Sequence, residues 1–370
     1  MEVYLSLGEP ISMLLPLNLN SLANNPLFLE SDAGQSFLKS PLGFIDIGAR
    51  GGAHDFVEPV AKLTAILGFE PDTVECERML TTPAVYEPWA AFDLEPVALA
   101  DKKDQAELFL LSAATNHSLL TPNSEFTERY KMDKWQVMGS EPLATELLDT
   151  VLFSTKKSPQ RWGEIIKLDT QGTEFEILQG AKRTLDDRTV AIVTEVAFCE
   201  LYKGQKLFSD VELLLRSHGF SFYGFPRIHG RSCKLLDKRT HVTAERAFYA
   251  DAIFFKDPLP GAPQRKVLDD RGNYVVFTAA LLLGYYDFAL ELASKTFASK
   301  ADKLAPIKKL ILQLAERSPV SAHNSVNELA QQVNNTPELA NIMVGGFVDK
   351  HRPNCNYDDV LNATVSPKSH

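Results

Sequence analysis

Apolar positions fall in two textures along this chain. Between residues 43 and 257, short unbroken apolar runs alternate with stretches at helical spacing; beyond residue 265 only helical spacing remains. The first run, GFIDI at 43–47, is closed by the glycine turn GARGG at 48–52. Phe56, Val60, Leu63 and Leu67 then recur at helical spacing up to Gly68, with Ile66 and Leu67 falling in a second strand if the helix stops early. Further strand-like runs are PVALA at 96–100, ELFLL at 107–111, residues 165–168 and VAIVTEV at 190–196, with helical patterns at 141–152, 174–185 and 210–217. Residues 220–225 and 248–255 have no helix between them and read as an antiparallel pair at one edge. Such alternation predicts an α/β fold, a mostly parallel sheet with helices on both faces.

Punctuation divides the chain. Residues 1–40, rich in Leu, Asn, Pro and Ser without a sustained period, read as a lead-in with little regular structure. The sheet domain spans 41–258 and ends at the linker PLPGAP, 258–263. Residues 265–350 read as an all-helical C-terminal segment, with a helical hairpin around Gly284, and 351–370 as a poorly ordered tail. The helical segment has three open roles: packing on the sheet, forming a homo-oligomer interface, or presenting a partner surface.

Composition narrows the class. The 370 residues are 45% hydrophobic and 23% charged, enough for a large core. The formal net charge is −10, and doublets such as Lys156-Lys157 and Lys308-Lys309 are too short to follow a phosphate backbone, so nucleic acid is not an expected partner. The N-terminus carries Glu2 and Glu9 and no basic stretch, unlike a secretory signal. The longest apolar run, 274–286, is broken by Thr278 and Gly284 and is too short to span a bilayer. Cys76, Cys199, Cys233 and Cys355 are widely and irregularly spaced, which fits a reducing, cytoplasmic setting better than a disulfide framework or a zinc site. HExxH, Walker and GxSxG patterns are absent.

The chemistry concentrates where apolar runs end. In IIKLDTQGTEFEILQGA, 165–181, a strand ends on Asp169, a turn follows with Gly172, and Thr173 with Glu176 has the spacing of a capping box opening a helix. Asp46 ends the first run just before Gly48, Ala49, Arg50, Gly51 and Gly52; Glu70 ends the next, 18 residues past Gly52; Asp101 closes the third and Glu195 lies in the fifth. In one sheet these carboxylates would converge on its carboxyl edge, where open α/β folds bind ligands. A glycine turn followed by an acid about 20 residues on suits a ribose-bearing cofactor. The turn is not GxGxxG, which a dinucleotide's pyrophosphate requires. S-adenosylmethionine has no phosphate and brings an ammonium, a sulfonium and a ribose, which an acid-rich rim suits better.

The blocks FIDIGARGG, GFEPD, ALAD, IKLDTQGTEFEILQGA, VTEVAF with LYKGQKLF, and FYADAIFF resemble, in that order, the FkbM family of S-adenosylmethionine-dependent methyltransferases over residues 40–257. The resemblance implies a class I methyltransferase (Rossmann-like) fold, seven strands with an antiparallel edge hairpin. It implies S-adenosyl-L-methionine as cofactor, with Asp46, Gly48 and Gly52 lining its methionine portion, Ala49 and Arg50 in the same turn, Glu70 on the ribose hydroxyls and Asp101 beside the adenine. Arg50 departs from the small polar residue more usual there; it could pair with the cofactor's carboxylate or with Asp46. The resemblance favours O-methylation of a sugar, glycan or natural-product hydroxyl. The helical segment lies outside it.

Asp169 is the first candidate for a general base or acceptor-orienting group, and it also counts with the cofactor site; Glu174 and Glu195 follow, and His229 is a fourth. Asp169 and Glu195 could instead hold Mg²⁺, which would acidify an acceptor hydroxyl, but a third oxygen ligand is not identified, so this is kept as a minor alternative and no metal site is assigned. Residues 112–134 and 226–244 are expected to build the acceptor pocket. The rival readings are an NAD(P)-dependent oxidoreductase and a catalytically silent binding protein of the same fold.

Overall fold

The computed structural model describes residues 18–155, 161–296, 301–316 and 319–351. The expectations for residues 1–17, Lys156-Lys157 and the tail beyond 351 fall outside these residues. Strands are β1 (Leu42–Ile47), β2 (Thr64–Phe69), β3 (Ala91–Glu95), β4 (Ala98–Leu99), β5 (Asp104–Leu111), β6 (Val137–Glu146), β7 (Ile165–Leu168), β8 (Ala191–Ala197), β9 (Ser221–Gly224), β10 (Ile228–Arg231) and β11 (Arg246–Phe255).

The main sheet runs β10-β11-β8-β7-β1-β2-β3, with β9 also on β11. From β3 to β8 all pairings are parallel; β11 runs antiparallel to β8. The expected antiparallel pairing of the last two runs is present. β9 lies opposite the end of β11 and β10 opposite its beginning, so two short strands share one edge. Pro226, which offers no ladder N–H, lies between them. Hence eight strands fill the seven expected positions.

Prolines also explain where the expected elements shift. Pro96 divides the 91–100 stretch, so the third strand of the main sheet is β3 and the PVALA run contributes only β4 to a separate three-stranded sheet, β4-β6-β5. Residues 141–146, expected to be helical, belong to β6; Pro142 disfavours a helix interior, and the stretch pairs with β5 instead. The helix expected after the first glycine turn is a 3₁₀ segment, Asp55–Leu63, with Pro59 inside and a break at Val60, which frees residues 64–69 for β2.

Alternation along the strands sorts two cores. Leu42 and Phe44 of β1, Ile165 of β7, Val193 of β8 and Ile253 of β11 face one layer; Ile45 and Ile47, Ile166 and Leu168, and Ile192 face the other. The second layer comes from the helices Glu174–Gln179, Lys182–Asp187 and Phe208–Ser217. The first is built by the two ends of the chain. Phe28 and Phe37, from helices Pro26–Leu29 and Asp32–Lys39, pack with Val275, Val276, Ala279 and Ala280 of helix Asp270–Leu282. Ala289 and Leu292 of helix Tyr286–Thr296 and Leu310 of helix Ala301–Ala315 join them. The lead-in is therefore helical from Pro26, and the C-terminal segment covers the sheet at least as far as Ile311. Each large apolar side chain buried there contributes about 1.5–3 kcal/mol, so this layer is part of the core. Gly284, at φ +79, makes the expected hairpin between helices 270–282 and 286–296. Among the described residues no helix is long and apolar enough to cross a membrane.

Candidate active site

The same period of two that buries Leu42 and Phe44 places Asp46 on the same face at the carboxyl end of β1. Lys167 lies directly across from Asp46 on β7, and Asp251 of β11 directly across from Glu195 of β8. At its carboxyl end this face of the sheet thus turns from apolar to charged. Between β1 and β7 the strand order reverses, β2 and β3 lying to one side and β8 to the other.

Asp46 is 1% exposed. One carboxylate oxygen, Oδ2, accepts the His54 amide at 2.8 Å; Oδ1 accepts no hydrogen bond and has the Lys167 ammonium 3.9 Å away. Burial, opposed by Lys167, raises its pKa. The turn that follows is held to β2: the amides of Gly48 and Ala49 both donate to the Phe69 carbonyl. Gly48 has φ +86, and a Cβ there would collide with the Asp169 carbonyl oxygen, so the first glycine lets the ends of β1 and β7 close on one another. Glu70, just beyond β2, is buried and accepts the Asp72 amide at 2.9 Å; burial raises its pKa against that bond.

Two expected placements are corrected. Arg50 pairs with Asp72 at 2.8 Å, because Asp72 caps the next helix beside the turn, whereas Asp46 is sealed beneath it. Asp101 follows β4 and is exposed, because Pro96 takes that strand out of the main sheet; its carboxylate acts on Glu176, in the helix after the Asp169 loop.

Asp169, Glu174 and Glu195 do come together, each offering a carboxylate oxygen within 4.8 Å of the others. Glu174 thus adds a third carboxylate beside the two the sequence offered. The loop between them is ordered from within. The Glu174 carboxylate accepts the Thr170 amide at 2.8 Å and the Gly172 amide at 3.1 Å. This replaces the expected capping box, since the Thr173 hydroxyl donates instead to the Thr170 hydroxyl. Gly172, at φ +108, approaches the Tyr202 ring so closely that a Cβ would stand 2.9 Å from it. Tyr202 in turn donates its hydroxyl to Gln171 Oε1 and to the Asn116 carbonyl, and Ser118 donates to the Gln171 carbonyl. Residues 112–134 therefore contact the loop that carries Asp169 and Glu174.

The centre of the cluster is a residue the sequence reading missed. The Lys167 ammonium, 8% exposed, lies 3.5 Å from Asp169 and 3.9 Å from Asp46. Burial opposes its charge, but Asp169, Asp46, Asp251 and Glu195 outweigh it and push the pKa up to about 12. Asp169, 38% exposed, shows the reciprocal effect: burial works against ionisation, yet Lys167 and the Gln171 amide hold it below the usual carboxylate range. Glu195 goes the other way. Burial, then Asp169, Glu174 and Asp251, raise it well above its ordinary value. The two neighbouring acids are thus pushed in opposite directions. The missed signal was a lysine inside an apolar strand, two residues from Asp169 and so on the same face. Asp251, isolated in FYADAIFF, gave the same kind of signal.

His229 lies on β10 rather than in a free loop, and its ring stacks on Tyr249 at 4.6 Å. Burial and the nearby Arg227 and Arg231 push its pKa down to about 4, leaving it neutral at pH 7.

Comparison with known proteins follows this geometry. Residues 46–222 match the family model of the methyltransferase FkbM domain. Among solved structures, methyltransferase FkbM from Methylobacillus flagellatus KT aligns at 10% identity with a TM-score of 0.32, over 58% of this chain and 43% of that one. This chain thus spans less than half of that protein's length. No curated protein matches the chain.

Proposed function

We propose, from the match of residues 46–222 to the methyltransferase FkbM domain, that the chain transfers the methyl group of S-adenosylmethionine to a hydroxyl of a sugar, glycan or natural-product acceptor. The observation that carries this reading is the strand-order reversal, where Asp46 and the Gly48 turn meet Asp169 at the ends of β1 and β7. The same strand order supports a class I methyltransferase fold, whose ligands sit at such switch points.

The residues fit the cofactor. A buried Asp46 oxygen without a hydrogen-bond donor, beneath the glycine turn, suits an ammonium group. Glu70 would take the ribose hydroxyls. When bound, the cofactor supplies an electrophilic methyl group on a sulfonium. What remains for the protein is alignment of the acceptor, worth up to roughly 7–11 kcal/mol in ideal cases, and removal of its proton, about 10²–10⁴-fold. Asp169, beside Lys167 and partly exposed, would orient the acceptor hydroxyl and receive its proton. Lys167 keeps that carboxylate charged, and Glu174 holds the loop that presents it. The stacked His229 and Tyr249, near Glu195, offer a flat wall suited to a sugar ring. A divalent cation held by Asp169, Glu174 and Glu195 is the second reading, favoured by their grouping.

Thermal unfolding in separate titrations with S-adenosylmethionine, S-adenosylhomocysteine and NAD(H) tests the proposal. A ligand at 100 times its dissociation constant adds about 2.7 kcal/mol of stability. Stabilisation by both adenosyl-sulfur ligands, and not by NAD(H), is the expected result; stabilisation by NAD(H) alone would replace it with the oxidoreductase reading. A requirement for Mg²⁺ that EDTA abolishes would favour the metal.

A further inference from the structure

At the amino-terminal edge of the sheet, opposite the acidic crevice, lies a cleft of about 630 Å³. Its floor is formed where β7 and β8 begin and β11 ends, at Glu164, Val190 and Lys256. Six cations and four carboxylates line it, an excess of cations in a chain whose net charge is −10.

The carboxylates are already engaged. Glu164 takes a two-pronged pair from Arg271 at 2.7 and 2.8 Å and the Gly43 amide besides. Asp186 pairs with His218 at 2.8 Å, Asp187 with Arg183 at 3.3 Å, and Asp269 accepts the Gly272 amide at the start of its helix. The cations are not matched in the same way. Among the described residues no carboxylate forms an ion pair with Arg188 or Lys266, and Arg161 reaches only the saturated Glu164, at 3.9 Å. Arg183 and Arg188 both lie over the Phe153 ring, 3.8 and 4.4 Å from its centre, so one aromatic side chain holds both guanidiniums at the cleft. Burial, then Arg183 and Arg161, work against the Arg188 charge. Crowded like charges with spare donors point to a missing anion, and guanidinium forks match the oxygens of phosphate groups. With several cations at one opening, an anion carrying more than one phosphate group matches their charge better than a single phosphate.

We propose that this cleft binds a small polyanion of the diphosphate class, held by Arg161, Arg183, Arg188 and Lys266. It is a site distinct from the methyl-transfer crevice, and the proposal does not rest on that function.

Calorimetric titration of the full chain with inorganic pyrophosphate, at constant ionic strength, is the test. Saturable binding is expected. Arg188→Gln should weaken it roughly ten- to a hundredfold, on the scale of lost hydrogen bonds to a charged group. Lys266→Ala, at an exposed position without an ion pair and so harmless to folding, should weaken it about threefold. Glu70→Ala, in the opposite crevice, should leave it unchanged. No saturable binding at millimolar pyrophosphate, equal binding by both cleft variants, or citrate binding as tightly as pyrophosphate would each overturn the assignment.

Discussion

Removing the Arg271 side chain should loosen the whole first layer of the sheet. Its guanidinium donates to both oxygens of Glu164, to the carbonyls of Ser40 and Pro41 at 2.9 Å, and to the Ser36 hydroxyl at 3.0 Å. One side chain thereby ties helix Asp270–Leu282 to the N-terminal helix Asp32–Lys39 and to the entry into β1 and β7. Arg271 is 10% exposed and Glu164 7%. In Arg271→Ala, Glu164 keeps the Gly43 amide and, at 3.9 Å, Arg161, so a largely uncompensated carboxylate stays buried. Breaking a buried pair from one side costs about 3–5 kcal/mol, a large part of the roughly 5–15 kcal/mol that holds a domain folded. In guanidinium chloride, with a slope of about 5 kcal/mol/M for a core of this size, the midpoint should fall by about 0.6–1 M. Glu164→Gln in the same chain removes the stranded charge, so the double variant should cost clearly less than the sum of the singles. A loss under about 1 kcal/mol with additive singles would refute the reasoning and return the C-terminal helices to the status of a detachable segment.

Three further outcomes follow from the crevice. Glu195 has a raised folded pKa, so its contribution to stability is present in full below its unfolded value near ~4.3 and is lost as pH rises toward the folded value. Glu195→Gln should therefore gain on the parent chain by up to about 1.4 kcal/mol per pH unit across that window, and thermal unfolding with no such pH trend would refute the assignment. Glu70→Ala should weaken S-adenosylhomocysteine binding by about 1.5–3 kcal/mol in calorimetry, and unchanged affinity removes Glu70 from the site. Asp169→Asn should lower turnover far more than cofactor affinity, measured by methyl transfer and by titration on the same preparation; intact turnover assigns the proton to another group.

The sequence made the strand ends legible because apolar runs stop abruptly there and acids follow; Asp46, Glu70 and Asp169 all stand where such a reading puts them. What it hid is non-local. Nothing local to 270–282 distinguishes a helix that covers a sheet from one that stands apart, because the distinction lies in Phe28, Phe37 and Arg271, which meet only in the folded chain. Asp101 was misplaced because the 96–100 run looks like a strand and is one, but in a different sheet. Lys167 was passed over as one polar residue in an apolar strand, although period two already required it to share a face with Asp169.

One strand joins both ends of the molecule. Along β8 the chain itself runs from Val190, which lines the cationic cleft just before the strand, to Glu195 in the acidic crevice, five residues or roughly 17 Å. At physiological salt the screening length is about 8 Å, so through solvent each site sees little of the other's field. Between them lie Val193 and Ile253, fully packed apolar side chains without mobile charge. An anion in the cleft should therefore leave the pH dependence of the crevice unchanged. If pyrophosphate shifts the pH trend of Glu195, the influence must travel by displacement of packed strands, and the register of β7 against β8 is where it would show.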